Sequence, residues 1–380
     1  MSTFTSSPVP PAASEFDRRM MQRCLALAER AAGRTAPNPM VGAVVVRGGA
    51  IVGEGFHPQA GQPHAEVFAL QAAGSQAQGA TLYVNLEPCS HYGRTPPCAD
   101  ALIQAGVAKV VVGMVDPNPQ VSGRGIARLQ SAGIEVVVGV EEAACQTLNE
   151  GFVHRMRYQR PFGILKYAMT LDGKIAATTG HSAWVTSEAA RTWVHQLRSR
   201  CDAIIIGGNT VRQDNPHLTS HGQGANPLRV VMSRHLDLPP AAHLWQTQDA
   251  PTLVFTEQGA PSAPQRALQR QGVEVVELSQ LTPQLVMQQL YERGCLNVLW
   301  ECGGTLAARA IAEASVQKIL AFIAPKLIGG ADAPSPIGEL GFTRMDQALP
   351  LERVQWHTIG SDYLVEGYLP TNSSAVTAKA

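Results

Sequence analysis

Thr81-Leu-Tyr-Val-Asn-Leu-Glu-Pro-Cys89-Ser-His-Tyr-Gly-Arg-Thr-Pro-Pro-Cys98 decides the fold of the first half of the chain. The run TLYVNL, rich in β-branched and aromatic residues, reads as a strand. Pro88 and Pro97 each fix the backbone just before a cysteine, and a helix is expected from Cys98 to about Ala105, since proline is tolerated where a helix begins. Upstream lie the strands VGAVVV (41–46) and IVGEG (51–55) and a helix from His64 to about Ala73. Downstream, strand KVVVGMV (109–115), helix GIARLQSAG (125–133), strand IEVVVGV (134–140) and a helix near EEAACQTLNEGF (141–152) continue the alternation. An opening helix carries Met20, Cys24, Leu27, Ala28 and Ala31 on one face and stops at Gly33. Strands alternating with helices predict a layered α/β domain with helices on both faces, over residues 15–150.

A second alternation begins after Arg160-Pro161 and predicts another layered α/β domain over 160–370. Strand FGILKYAMT leads to helix SEAARTWVHQLRSR and strands AIIIGG, LRVVMS and TLVFT. Helices near PQRALQRQ and PQLVMQQLYERG flank strand VEVVEL. Strand NVLWE runs into Cys302-Gly303-Gly304 and helix TLAARAIAE, and ILAFIAP, VQWHTIG and DYLVEGYL follow. Residues 1–14 and 371–380, without apolar periodicity, read as disordered tails.

Two domains suit 380 residues. Lys+Arg and Asp+Glu balance at 30 each, which argues against a nucleic-acid partner, because a basic excess usually accompanies phosphate binding. No run approaches the ~18 apolar residues of a membrane span, and the N-terminus lacks a signal-peptide core, so a soluble, cytoplasmic protein is expected. Seven cysteines make no disulfide framework. Cys24, Cys145, Cys201, Cys295 and Cys302 read as buried thiols.

Cys89 and Cys98 differ, because His64-Ala-Glu66 accompanies them. One His and two Cys can hold Zn²⁺ and leave a fourth position for water, and a carboxylate that is not a ligand can move its protons. This is the residue set of a zinc deaminase, in which Glu66 is the catalytic acid/base. Expected helix N-termini at His64 and Cys98 favour thiolate over thiol. A structural zinc would instead recruit a fourth ligand, for which His91 is the nearby candidate, and would leave Glu66 without a task. The general signature has C-x-x-C, whereas eight residues separate these two cysteines. In the second half, Gly207-Gly208 and Gly303-Gly304-Thr305 each follow a strand, which suits phosphate approach to backbone N–H groups, though no G-x-G-x-x-G is present.

The run Glu87-Pro-Cys-Ser-His-Tyr-Gly-Arg-Thr-Pro-Pro-Cys98 after His64-Ala-Glu66 closely resembles the bifunctional riboflavin-biosynthesis deaminase/reductases. The resemblance covers roughly residues 17–368. It takes in Pro37-Asn-Pro-Met-Val-Gly42, Gly55-Phe-His57, Asp116-Pro-Asn-Pro119, Leu171-Asp-Gly-Lys174, Asp214-Asn-Pro216 and Glu301-Cys-Gly-Gly304.

The resemblance implies a cytidine-deaminase-like N-terminal domain and a C-terminal domain similar to dihydrofolate reductase. It implies two reactions on a small pyrimidine ribosyl phosphate. The first is zinc-dependent removal of the 2-amino group of 2,5-diamino-6-ribosylamino-4(3H)-pyrimidinone 5′-phosphate. The second is NADPH-dependent reduction of the ribosyl group of 5-amino-6-(5-phosphoribosylamino)uracil to ribityl. Carried over by position, His64, Cys89 and Cys98 hold zinc, and Asn38, His57, Arg94, Asp116 and Asn118 contact the first substrate. Lys166, Ser182, Arg198, Leu218, His221 and Glu301 contact the second. NADPH meets Ala168, Trp184, Thr210, Asp214 and the segment Gly303, Gly304, Thr305 and Leu306. A homo-oligomer is also expected. Two positions depart from the family. His221 stands where an Arg usually helps hold the substrate phosphate, and Ser233-Arg234 replaces Asp-Ser. Arg234 is the candidate for the 2′-phosphate of NADPH.

Overall fold

The computed structural model describes residues 14–90, 96–119 and 121–370. The two expected tails, apart from Ser14, therefore fall outside it, as do His91 and Arg94. The chain forms two compact units that divide after Val153.

In the first unit the elements run α1 (Glu15–Glu29), β1 (Gly42–Arg47), β2 (Ala50–Phe56), α2 (Ala65–Ala73), β3 (Thr81–Leu86), α3 (Cys98–Gln104), β4 (Lys109–Met114), α4 (Arg124–Ser131), β5 (Glu135–Val138) and α5 (Glu142–Leu148). The sheet order is β2-β1-β3-β4-β5. β1 is antiparallel to both β2 and β3, while β3, β4 and β5 are parallel. β1, β3 and β4 are buried almost throughout, as expected of strands covered on both faces. Ala43, Val45, Leu82 and Val84 pack with Ala65, Ala69 and Leu102 from α2 and α3. On the alternate face the Tyr83 hydroxyl donates to Asp17 of α1 at 2.8 Å, and the Cys24 thiol donates to the Tyr83 carbonyl. Gly55 matters here: a Cβ on it would stand 2.5 Å from the Ala65 carbonyl. Its absence lets the start of α2, with His64 and Glu66, lie directly on β2.

The single helix expected near 141–152 is two, α5 and α6 (Glu150–Tyr158), and α6 runs across the division between the units. The break falls at Asn149, whose side chain turns back to the Met40 backbone, accepting from its N–H at 2.8 Å and donating to its carbonyl at 2.9 Å. Asn and Asp favour such local breaks because their side chains compete for backbone groups.

The second unit contains β6 (Phe162–Thr170), α7 (Glu188–Arg200), β7 (Ala203–Gly207), α8 (Gly208–Asp214), β8 (Leu228–Met232), β9 (Thr252–Glu257), α9 (Ser262–Arg270), β10 (Glu274–Leu278), α10 (Pro283–Glu292), β11 (Asn297–Trp300), α11 (Gly304–Ala312), β12 (Lys318–Ala324), β13 (Glu352–Ile359) and β14 (Asp362–Tyr368). Its sheet order is β10-β9-β8-β7-β11-β6-β12-β14-β13. Strands β10 through β12 are parallel; β14 and β13 add an antiparallel edge. The chain builds outward from β7 to β10, then returns to insert β11 between β7 and β6. Such a reversal opens a crevice at the carboxyl ends of the central strands. Ile204, Ile206, Val231, Leu299 and Phe322 fill one face of the sheet, and Leu165, Ile205, Val230, Phe255 and Trp300 the other.

Candidate functional site

In the first unit three ligand atoms converge. His64 is the N-cap residue of α2, Cys98 opens α3, and Cys89 sits in the loop after β3. The His64 Nδ1 lies 3.1 Å from Cys98 Sγ and 3.6 Å from Cys89 Sγ, and the three donor atoms lie within 4.8 Å of one another. Around a tetrahedral Zn²⁺ with bonds of about 2.0 Å to nitrogen and 2.3 Å to sulfur, donors stand about 3.5 Å apart, so this set fits the metal. The Cys98 N–H donates to Cys89 Sγ at 3.3 Å. Hydrogen bonding from Cys98, joined by His64 and opposed by burial, pulls the Cys89 thiol down to about 4, while Cys89 drives the Cys98 thiol upward. The hydrogen bond to Cys89 raises the His64 imidazole against the opposing effect of burial. Two sulfurs and one imidazole nitrogen thus form a donor set suited to a borderline-soft cation such as Zn²⁺.

Glu66, on the first turn of α2, is 3 % exposed. Burial raises its carboxyl above the usual range, and among the described residues its Oε2 has no hydrogen-bond partner. A buried carboxyl with a free oxygen beside this donor set is placed to accept and return a proton. His57, buried, places Nδ1 3.0 Å from the Pro63 carbonyl and Nε2 3.2 Å from Asn38 Nδ2. Burial lowers this imidazole, disfavouring its charged form. With its proton on Nδ1 toward the carbonyl, Nε2 accepts from the Asn38 amide, which leaves Asn38 Oδ1 as the acceptor for a ligand. Asp116 and Asn118 follow β4, and the Asn118 N–H donates to Asp116 Oδ1 at 2.8 Å.

The second unit gathers its candidates where the sheet order predicts a crevice. Trp300 pairs with Leu165 on β6 and with Ile205 on β7, so Glu301 emerges beside Lys166. Arg198, from α7, donates to Glu301 through Nε at 2.7 Å and Nη2 at 3.1 Å, and through Nη1 to the Thr219 carbonyl at 3.1 Å. Lys166 Nζ stands 3.5 Å from Glu301 Oε2. Burial alone would raise the Glu301 carboxyl; the charges of Arg198 and Lys166 outweigh it and hold the group at about 2. Burial lowers the Lys166 ammonium, opposed by Glu301. Ser182 donates to Asp214 at 2.8 Å, tying the loop after β6 to the end of α8. That helix, which carries Thr210, is absent from the sequence reading because only seven residues separate Gly207 from Asn215.

Gly207 is the N-cap residue of α8 and Gly303 that of α11, so both glycine pairs sit at strand-to-helix turns of neighbouring strands. Leu306 lies beside Gly207, 3.5 Å from where a Cβ would stand, while a Cβ on Gly303 would meet nothing. Ala168 lies two residues beyond Lys166 on β6. Trp184 (φ 64°), Leu218 (φ 52°) and His221 (φ 48°) all hold left-handed backbone, a strain that concentrates at binding sites. Trp184 is exposed, and the Arg191 guanidinium covers its ring at 4.3 Å. Arg234 forms an ion pair with Glu257 at 2.8 Å. The sequence reading missed His195, whose ring stacks on His221; its place three residues before Arg198 on one helix was the available signal.

Two family models match the chain. Residues 14–114 match the cytidine and deoxycytidylate deaminase zinc-binding region, and residues 161–365 match the RibD C-terminal domain. The riboflavin biosynthesis protein RibD of Synechocystis sp. is 64 % identical over 94 % of this chain and 97 % of its own. The chain belongs to the RibD family. It is accordingly an enzyme of riboflavin biosynthesis with deaminase and reductase activities. Among solved structures, Acinetobacter baumannii RibD superposes with a TM-score of 0.85 at 38 % identity, covering 94 % of this chain and 99 % of that one. A diaminohydroxyphosphoribosylaminopyrimidine deaminase/5-amino-6-(5-phosphoribosylamino)uracil reductase from Thermotoga maritima gives 0.84 at 37 % identity, covering 93 % and 99 %. Both expected fold classes, a deaminase-like α/β domain followed by the family's α/β reductase domain, agree with these matches.

Proposed function

We propose that the first unit hydrolyses the 2-amino group of 2,5-diamino-6-ribosylamino-4(3H)-pyrimidinone 5′-phosphate and that the second reduces the resulting 5-amino-6-(5-phosphoribosylamino)uracil to its ribityl form. The observation that carries this reading is the convergence of His64, Cys89 and Cys98 beside a buried Glu66 whose Oε2 has no partner among the described residues. A zinc ion on these three ligands would supply an activated water at a fourth position. Glu66 takes the proton of that water, returns it to the pyrimidine ring nitrogen and assists the departure of ammonia. Asn38, oriented by His57, accepts from an amino or ring N–H of the pyrimidine; Asp116, Asn118 and Arg94 complete the substrate contacts.

In the second unit, bound NADPH would supply hydride to C1′ of the ribose. The chain holds that cofactor with Ala168, Trp184, Thr210, Asp214, Arg234 and Gly303 through Leu306. Lys166, Ser182, Arg198, Leu218, His221 and Glu301 hold the ribosyl phosphate. Near-neutral composition supports a small-molecule substrate over nucleic acid. Among the described residues no helix is long and apolar enough to cross a membrane. We place the enzyme in the cytoplasm as a homo-oligomer.

Incubation with the diaminopyrimidinone phosphate tests both halves. Ribosylamino-uracil should accumulate without NADPH, and the ribityl product with it. Glu66→Gln should keep its zinc and lose ammonia release by about 10²- to 10⁴-fold; near-wild-type turnover would sink the assignment of Glu66.

A further inference from the structure

Glu87 immediately precedes the Pro88-Cys89 pair, and it is 4 % exposed. Its carboxylate accepts from four backbone N–H groups. Oε2 takes those of Asp116 (3.1 Å) and Gly123 (2.9 Å), and Oε1 those of Gly125 (2.9 Å) and Ile126 (3.3 Å). Gly123 is the N-cap residue of α4, and Gly125 and Ile126 lie in its first turn. Glu87 therefore caps α4 with its carboxylate, where the unsatisfied N–H groups and the helix dipole favour an acidic acceptor. It also seizes the backbone at Asp116. Its own N–H donates to the Met114 carbonyl at 3.0 Å, so the residue is held to the end of β4 by backbone and side chain together.

The donor set selects the residue type. Four N–H groups meet one head group, and only an ionised carboxylate offers acceptors on both atoms; a Gln would turn an NH₂ toward two of them. The fit is close on the other side too. A Cβ on Gly125 would stand 2.0 Å from the Pro88 carbonyl, so the α4 turn rests directly on the metal-ligand loop. From Asp116 the connection continues, since the Asn118 N–H donates to Asp116 Oδ1 and the N–H groups of Val121 and Ser122 donate to the Asn118 carbonyl.

We infer that Glu87 is a positioning residue for the deaminase reaction, which sets the Asp116–Asn118 loop against the Cys89 loop and so fixes the substrate's pyrimidine over the metal position. This rests on the proposed substrate contacts of Asp116 and Asn118. It assigns Glu87 no contact with substrate or metal.

The test uses the full-length, zinc-loaded chain and Glu87→Gln. The wild type is assayed first, because a wild type that releases no ammonia from the diaminopyrimidinone phosphate overturns the parent reading rather than this one. With the wild type active, E87Q should keep one zinc per chain and full reductase activity on the already deaminated substrate. Its deaminase kcat/KM should fall about 10- to 100-fold, the scale of a lost hydrogen bond to a charged group, with most of the loss in KM. Adding Asp116→Ala to E87Q should then cost less than Asp116→Ala costs alone, since the two act through one loop. Unchanged kinetics, strict additivity, or loss of zinc in place of a raised KM overturns the inference. If E87Q yields no folded chain, Glu87→Asp, which keeps the carboxylate but shortens its reach, is read by the same outcomes.

Discussion

The imidazoles of His195 and His221 stack with their centroids 4.1 Å apart and their planes 29° from parallel. Burial, followed by the neighbouring charge of His221, lowers His195 to about 4, and burial followed by Arg198 lowers His221. His195 is therefore neutral at pH 7 in the free protein, and the shift of His221 disfavours its charged form in the same direction. Lys166, Arg198 and Glu301 act on His195 as well, and His217 acts on His221, its ring 6.4 Å away.

A phosphate dianion bound at His221 would favour the protonated rings, so binding would take up protons. The reductase KM for the phosphorylated substrate is expected to rise with pH from about 6.5 to 8.5, above the second phosphate pKa of about 6. Each proton taken up contributes up to about tenfold per pH unit. His221→Arg should flatten the profile, because guanidinium stays charged throughout. Steady-state kinetics across that range decide it, and an unaltered slope in the variant would remove His221 from the phosphate site.

Glu301 is the sole carboxylate bonded to both Lys166 and Arg198 among the described residues. Glu301→Gln leaves two buried cations without their counter-charge, a loss of order 3–5 kcal/mol for a broken buried pair. Reductase activity should vanish while ammonia release persists. All five tryptophans lie beyond residue 153, so intrinsic fluorescence reports the unfolding of the second unit and should show a lowered melting temperature.

Arg234 carries a half-exposed side chain paired with Glu257. If it recognises the 2′-phosphate of NADPH, Arg234→Ala should raise the KM for NADPH by about tenfold, the value of one charge-assisted contact, and leave that for NADH unchanged. Because an exposed pair of this kind contributes little to stability, the melting temperature should not move. An unaltered NADPH/NADH ratio would assign Arg234 to the surface alone.

His154 sits against the rings of Tyr158 (4.7 Å) and Phe162 (5.6 Å), and burial lowers it to about 4. Its unfolded value near 6.5 is higher, so the unfolded chain binds the proton first. Stability should therefore fall as the pH drops from about 6.5 toward 4. His154→Phe should flatten that part of the curve. Fluorescence-monitored urea unfolding at pH 7.5, 6 and 5 measures it, and an identical pH slope in the variant would show that His154 does not contribute.

The three candidate metal ligands were legible because the information is local. Each lies at or near the start of a helix or at the end of a strand, and proline marks both cysteines. Glu87 was not legible as a clamp, because its four donors come from residues 29 to 39 positions later in a loop and helix turn. Periodicity identified β6, β7 and β11 as strands, yet it carries no record of which strand lies beside which. The break at Asn149 was missed for a similar reason: its cause is the Met40 backbone, 109 residues away.

The run from Thr81 to Cys98, together with His64-Ala-Glu66, by itself determined a strand–loop–helix carrying a candidate zinc site and the family to which the chain belongs. Side-chain chemistry and short-range backbone preference suffice for that. Only the tertiary structure decided how Glu301 meets Arg198, 103 residues away, and Lys166, 135 away. The physical reason is the insertion of β11 between β7 and β6, a choice made by packing both faces of one parallel sheet.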